Sequence, residues 1–99
     1  MLAAEIENKY PARMTALART FPTLRDADGL APWDAVRFSA WSRSGLCHGA
    51  RCAAKFVLSV WNPSTKWKVG RFDVHEALRV WDDQHLAAFL AWVSHPWWP

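Results

Sequence analysis

The chain has 99 residues, of which 52% are hydrophobic and 21% charged, a balance that excludes a disordered protein and fits one small domain over 1–99. No apolar run approaches the roughly 20 residues of a membrane-spanning helix, and acidic residues at positions 5 and 7 argue against a signal peptide, so we expect a soluble, cytoplasmic protein with no membrane partner. The net charge of +3 is unevenly distributed, because residues 32–71 hold seven basic and one acidic side chain whereas 72–99 hold one basic and four acidic.

Helical periodicity runs through most of the chain and predicts an all-α fold. We expect a compact single-domain bundle of about five short helices, with an ordered extended loop (62–71) and a Trp/Pro-rich C-terminal tail. The predicted helices lie near residues 2–10, 11–20, 32–42, 47–61, 73–81 and 83–94.

Prolines divide the N-terminal third into short elements. Pro11 either interrupts the first helix or opens the second in its first turn, and Pro22 ends the second. Turn-forming residues then predict a loop over 23–30. The second helix carries an apolar stripe made of Met14, Leu17, Ala18 and Phe21.

The middle of the chain predicts two more helices and the loop. The third helix should begin at Pro32 and close with Gly45 in a left-handed conformation. Its apolar stripe is Trp33, Val36, Ala40 and Trp41. The fourth helix is strongly amphipathic and ends before Pro63. Its apolar stripe is Ala53, Phe56, Val57, Val60 and Trp61, and its polar side is His48, Arg51, Lys55 and Ser59.

Residues 72–96 carry the clearest helix signals, so we expect the upstream chain to pack against them. Asp73 and Glu76 have the spacing of a capping box, and Asp82 is a second N-cap. Pro96 ends the last helix. The two apolar stripes are Val74, Ala77, Leu78 and Trp81, followed by Leu86, Phe89, Leu90 and Val93.

Eight tryptophans are the most unusual feature of the composition. Four of them, at 33, 41, 61 and 81, lie on apolar stripes and are expected in the core. Trp67 lies between two lysines, and Trp92 lies off the stripe of its helix. The tail residues Trp97 and Trp98 either fold back over the helices or form a docking element.

No cofactor motif or nucleophile elbow is present, whereas aromatic and basic residues are abundant, as at protein interfaces. We therefore expect a protein-interaction module, such as an accessory subunit, adaptor or inhibitor, that binds another protein or self-associates. The basic middle segment either pairs with the acidic end or faces this partner. The candidate partner-binding residues are Arg51, Lys55, Lys66, Trp67, Lys68, Arg71, Trp92, Trp97 and Trp98.

The first alternative is a nucleic-acid-binding domain that uses residues 37–71. Basic side chains neutralise phosphates, and an exposed tryptophan can stack on an unpaired base. The candidate residues are Arg37, Arg43, Arg51, Lys55, Lys66, Trp67, Lys68 and Arg71.

An enzyme is the weakest of the three hypotheses. Asp82, Asp83 and His85 form a possible acid/base cluster, but helix capping explains both aspartates, and His85 is expected to be exposed. Cys47 and Cys52 lack the paired spacing of structural zinc sites, so free thiols are expected and neither a metal nor another cofactor is predicted.

Overall fold

The computed structural model describes residues 9–99, and it is an all-α bundle with no strand in that range. No helix in this part of the chain combines the length and apolar character needed to cross a membrane. Between the first two helices lies a short 3-10 helix, Pro22–Leu24. The five α-helices are α1 (Lys9–Arg19), α2 (Ala35–Ser42), α3 (His48–Trp61), α4 (Val74–Val80) and α5 (Asp83–Ser94).

Helix α3 lies at the centre of the bundle. It contacts α1, α2, α4 and the 3-10 helix. The expectation that the upstream chain packs against residues 72–96 is therefore wrong, because α3 has more buried residues than any other helix in the described part of the chain. Its buried residues extend beyond the predicted stripe and are Ala50, Cys52, Ala53, Ala54, Phe56, Val57, Leu58 and Val60.

Phe56 is the aromatic centre of this core and is 3% exposed. The rings of Phe21, Phe72, Phe89 and Trp92 surround it at centroid distances of 5.1 to 5.8 Å. Most of these pairs have the edge-on or tilted geometry that aromatic quadrupoles favour. Through these rings, α5 and the segment that precedes α4 pack against α3.

The N-terminal elements follow the predicted pattern with two differences. The stripe ending at Phe21 is buried as predicted. Helix α1 continues through Pro11, whose missing N–H is tolerated near a helix start. Residues 2–8 of the predicted helix 2–10 lie outside the described residues. Pro22 opens the 3-10 helix, where a plain loop was predicted, and this turn buries Leu24.

Helix α2 starts later than predicted, at Ala35, because Asp34 is the N-cap and accepts from the Arg37 backbone N–H at 3.1 Å. Its predicted stripe is only partly confirmed, since Trp33 and Trp41 pack against the core but Val36 is 74% exposed and Ala40 is also exposed. Phe38 is fully buried instead, between the rings of two flanking tryptophans. The face that α2 turns to the core is therefore the one that carries Phe38, Ser39 and Ser42.

Both predicted N-caps of the C-terminal helices are confirmed. Asp73 accepts from the backbone N–H groups of His75 and Glu76, and Asp82 accepts from that of His85. The apolar stripes are only partly confirmed. Ala77 is fully buried, whereas Leu78, Leu90 and Val93 on the same stripes are largely exposed. Helix α5 buries His85 and Ala88 instead.

The C-terminal tail folds back onto the bundle. Trp97 lies over the Arg13 guanidinium, with 4.2 Å from its carbon to the ring centroid, and beside the Tyr10 ring. Trp98 packs edge-on against Trp92 at 5.1 Å but keeps about half of its surface exposed. Of the two tail hypotheses, packing against the helices therefore holds for Trp97, and Trp98 remains accessible.

Candidate functional site

A cleft of about 300 Å³ lies between the end of α3 and the 62–71 loop, and we call it the basic cleft. Three predicted partner-binding residues, Lys55, Trp67 and Arg71, line it together although two separate segments contribute them. The remaining lining residues are Ser59, Asn62, Pro63, Thr65, Gly70 and Phe72.

The loop beside the basic cleft is ordered by its own hydrogen bonds, as predicted. The Asn62 side chain accepts from the Ser64 backbone N–H at 3.0 Å, and the Asn62 carbonyl accepts from the Trp67 indole at 3.3 Å. Gly70 has a positive φ of 110° and faces the Lys55 side chain. Glycine is favoured there because other residues rarely adopt this conformation. The loop thereby fixes Trp67 at the cleft wall.

The cations of the cleft differ in how they are neutralised. The Lys55 ammonium lies 3.4 Å from a Glu76 carboxylate oxygen, and its side chain is mostly buried. Arg71 is exposed and forms no ion pair within residues 9–99. Lys66 and Lys68 are exposed in the same loop. Pairing between the basic middle and the acidic end therefore involves Glu76, and the cleft keeps a positive charge.

The other predicted site residues lie outside the basic cleft. Arg37 is paired with Asp28 at 2.7 Å. Arg43 forms the C-cap of α2. Arg51 is exposed on α3 and reaches the Leu46 carbonyl at 3.5 Å. Trp92 and Trp97 pack against the core and α1, and Trp98 packs on Trp92 with about half of its surface exposed. The predicted set thus divides into a convergent group around the cleft and a dispersed remainder.

A second group of polar side chains joins α3 to α4, and we call it the α3–α4 polar cluster: His48, Cys52, Lys55 and Glu76. The His48 Nε2 atom lies 2.8 Å from Glu76 Oε2, while Lys55 contacts the other carboxylate oxygen. The hydrogen bond from His48, followed by that from Lys55, lowers the pKa of Glu76 below its ordinary value. Burial, and then the Glu76 charge, raises the pKa of the Cys52 thiol. The thiol is therefore protonated at neutral pH and a poor nucleophile.

His85 is buried, at 5% exposure, so the expectation of an exposed histidine is wrong. Its Nδ1–H donates to the Asp82 carboxylate at 2.8 Å, and its Nε2 lies 2.8 Å from the Thr23 hydroxyl oxygen. The backbone N–H and then the ring of His85 lower the pKa of Asp82. This linked trio attaches the 3-10 helix to the start of α5.

Sequence reasoning missed several of these features. Glu76 was assigned to a capping box, yet its carboxylate faces α3. The apolar periodicity at Leu78, Leu90 and Val93 predicted burial, and nothing in the linear pattern distinguishes exposed members of a stripe from buried ones. No family model, curated protein or solved structure matches this chain. Function is therefore inferred from side-chain geometry.

Proposed function

We propose that the chain is a small protein-interaction module, acting as an accessory subunit, adaptor or inhibitor, that binds an acidic segment of another protein in the basic cleft. The observation that carries this proposal is the convergence of Lys55, Trp67 and Arg71 around one cleft. Aromatic side chains and arginine are the residue types enriched in protein interfaces and in their energetic centres.

The chemistry of the cleft favours a carboxylate-bearing partner. The exposed Arg71 guanidinium offers parallel N–H donors that match a carboxylate, and such charge-assisted bonds are stronger than neutral ones. Trp67 and Phe72 supply apolar walls for the aliphatic part of the bound side chain. The cleft volume lies at the low end of ligand pockets, which fits one or two side chains of an extended segment.

Exposed apolar residues on the C-terminal helices support the same class of function. Six of the seven large exposed apolar side chains of the described residues fall within 74–98. Apolar side chains that form a contiguous exposed patch mark interaction surfaces. A partner that enters the basic cleft has further apolar side chains available in the same molecule.

The geometry favours protein over nucleic acid. Base stacking needs a free aromatic face, but Trp67 is half-buried against the core and its indole N–H is already bonded. Arg37 of the predicted phosphate-binding set is engaged by a carboxylate. Binding to single-stranded nucleic acid is therefore kept as an alternative outcome of the experiment.

The test compares two charge reversals of equal net effect, Arg71→Glu in the basic cleft and Arg43→Glu outside it. A fluorescent Asp/Glu-rich peptide and a single-stranded oligonucleotide serve as probes in anisotropy titrations. We expect Arg71→Glu to weaken peptide binding about tenfold or more, from the loss of a charge-assisted bond, and Arg43→Glu to leave it nearly unchanged.

Three results would contradict the proposal. Equal weakening by both reversals would mean non-specific attraction, and absence of peptide binding would remove the cleft as a site for acidic segments. Nucleic acid would be the partner if the oligonucleotide bound more tightly than the peptide, if both variants lost this binding equally, and if added salt weakened it steeply. Trp67→Ala is a poorer probe because its ring also packs against the core.

A further inference from the structure

We infer that His48, Cys52 and Glu76 form a binding site for Zn²⁺. One potential ligand atom from each residue lies within 4.8 Å of the other two. Thiolate sulfur, imidazole nitrogen and carboxylate oxygen are the three donor types that zinc uses in proteins. Lys55 lies beside both this site and the basic cleft, but the two proposals are tested separately, because the zinc site takes a different ligand and is probed with the metal alone.

The fold brings the three donors together from two helices. His48 and Cys52 are four residues apart on α3, so their side chains lie one turn apart on the same face. Glu76 comes from the first turn of α4, whose start is fixed by the Asp73 cap. The linear sequence shows no zinc motif because the third donor reaches the site through the packing of α4 on α3.

The distances fit a site whose three donor atoms need only small movements when the metal binds. Zinc bonds of about 2.0 to 2.3 Å hold tetrahedral ligand atoms about 3.3 to 3.7 Å apart. The His48 and Glu76 atoms, 2.8 Å apart, must separate by about half an ångström, whereas donors as far apart as 4.8 Å must approach by about an ångström. His48 can supply this movement because its side chain is 47% exposed, whereas Cys52, at 1% exposure, provides a fixed point.

Neighbouring groups support this coordination. Lys55 contacts the Glu76 oxygen that does not face His48, so it can remain hydrogen-bonded to the carboxylate while the other oxygen binds zinc. Outer hydrogen bonds of this kind orient metal-bound carboxylates. Three protein ligands with an exposed histidine leave a fourth position for water, which is the arrangement of zinc sites that remain open to exchangeable ligands.

The test uses metal-free protein titrated with Zn²⁺ and, for spectroscopy, with Co²⁺ under reducing conditions. Thiolate coordination to Co²⁺ gives a near-ultraviolet charge-transfer absorption. We expect the unmodified protein to bind one equivalent of the metal and to show this absorption with Co²⁺. The absorption should also appear in Cys47→Ser, the exposed-cysteine control, and should be lost in Cys52→Ser.

A second pair of variants covers the case in which Cys52→Ser fails to fold. His48→Ala removes a ligand, whereas His75→Ala removes an exposed histidine from α4. Calorimetry should show Zn²⁺ affinity at least tenfold weaker in His48→Ala and unchanged in His75→Ala. The inference would be overturned if both histidine variants changed the Zn²⁺ affinity equally, or if no saturable Zn²⁺ binding were seen. It would also be overturned if the Co²⁺ absorption were retained in Cys52→Ser or lost in Cys47→Ser.

Discussion

Phe56 is buried in the core and Leu90 is exposed on the helix surface, although the sequence places both on apolar stripes. Phe56→Ala removes a side chain that is 3% exposed and enclosed by four aromatic rings. Truncating a buried phenylalanine costs about 3 to 5 kcal/mol. A domain of this size has a free energy of unfolding of about 5 to 15 kcal/mol, so this loss is a large share of the total.

Leu90→Ala is the matched control on α5. Leu90 is 48% exposed, so only about half of its side chain is removed from water, and its truncation should cost about 1 kcal/mol or less. Urea denaturation at several protein concentrations measures the free energy of unfolding of each variant. We expect a gap of at least about 2 kcal/mol between them.

Equal losses in the two variants would refute the α3-centred core. A Leu90→Ala cost that grows with protein concentration would instead show that this surface is buried by self-association. If Phe56→Ala does not fold, Phe56→Leu keeps an apolar side chain in the core and should still lose more stability than Leu90→Ala.

Two further predictions concern a tight turn and a helix cap. Gly29→Ala should cost about 2 kcal/mol or more in urea denaturation, because φ is +82° and a Cβ would lie 2.5 Å from the Phe38 backbone nitrogen. Gly45→Ala, with a similar φ but open space, should cost clearly less, and equal costs would contradict this packing. Because the pKa of Asp82 is lowered by His85, its stabilisation is present above the ordinary aspartate pKa and is lost as pH falls through the lowered value. Unfolding measured at pH 6 and pH 3 should therefore show a smaller acid-induced loss in Asp82→Asn, and an unchanged loss would contradict the pairing.

Local signals predicted the elements well where one residue type decides the outcome. Asp73 and Asp82 cap their helices because an aspartate side chain accepts from the following backbone N–H groups wherever the chain turns into a helix. The boundaries of α3 were equally readable, since its apolar pattern is long and a proline follows it. The start of α2 could not be predicted as well, because Pro32 suits the first turn of a helix and Asp34 suits an N-cap, so either could mark the start.

Long-range packing explains what the sequence could not predict. A helical stripe shows which residues share a face, but burial depends on whether another element covers that face, and nothing in the described part of the chain fully covers Leu90. Three of the residues that line the basic cleft were among the predicted partner-binding residues, and two of these three are close together in the loop sequence. The α3–α4 polar cluster was not predicted, since Glu76 and His48 are 28 positions apart in the sequence.

The most direct test of the proposed function is to map the surface that an acidic peptide contacts, using amide and indole NMR shifts of the intact chain. We predict that the largest changes fall on the Trp67 indole, on the backbone around Arg71 and on the end of α3 near Lys55. Changes concentrated on the exposed face of α5 or on the C-terminal tail, with the cleft signals unmoved, would contradict binding in the basic cleft.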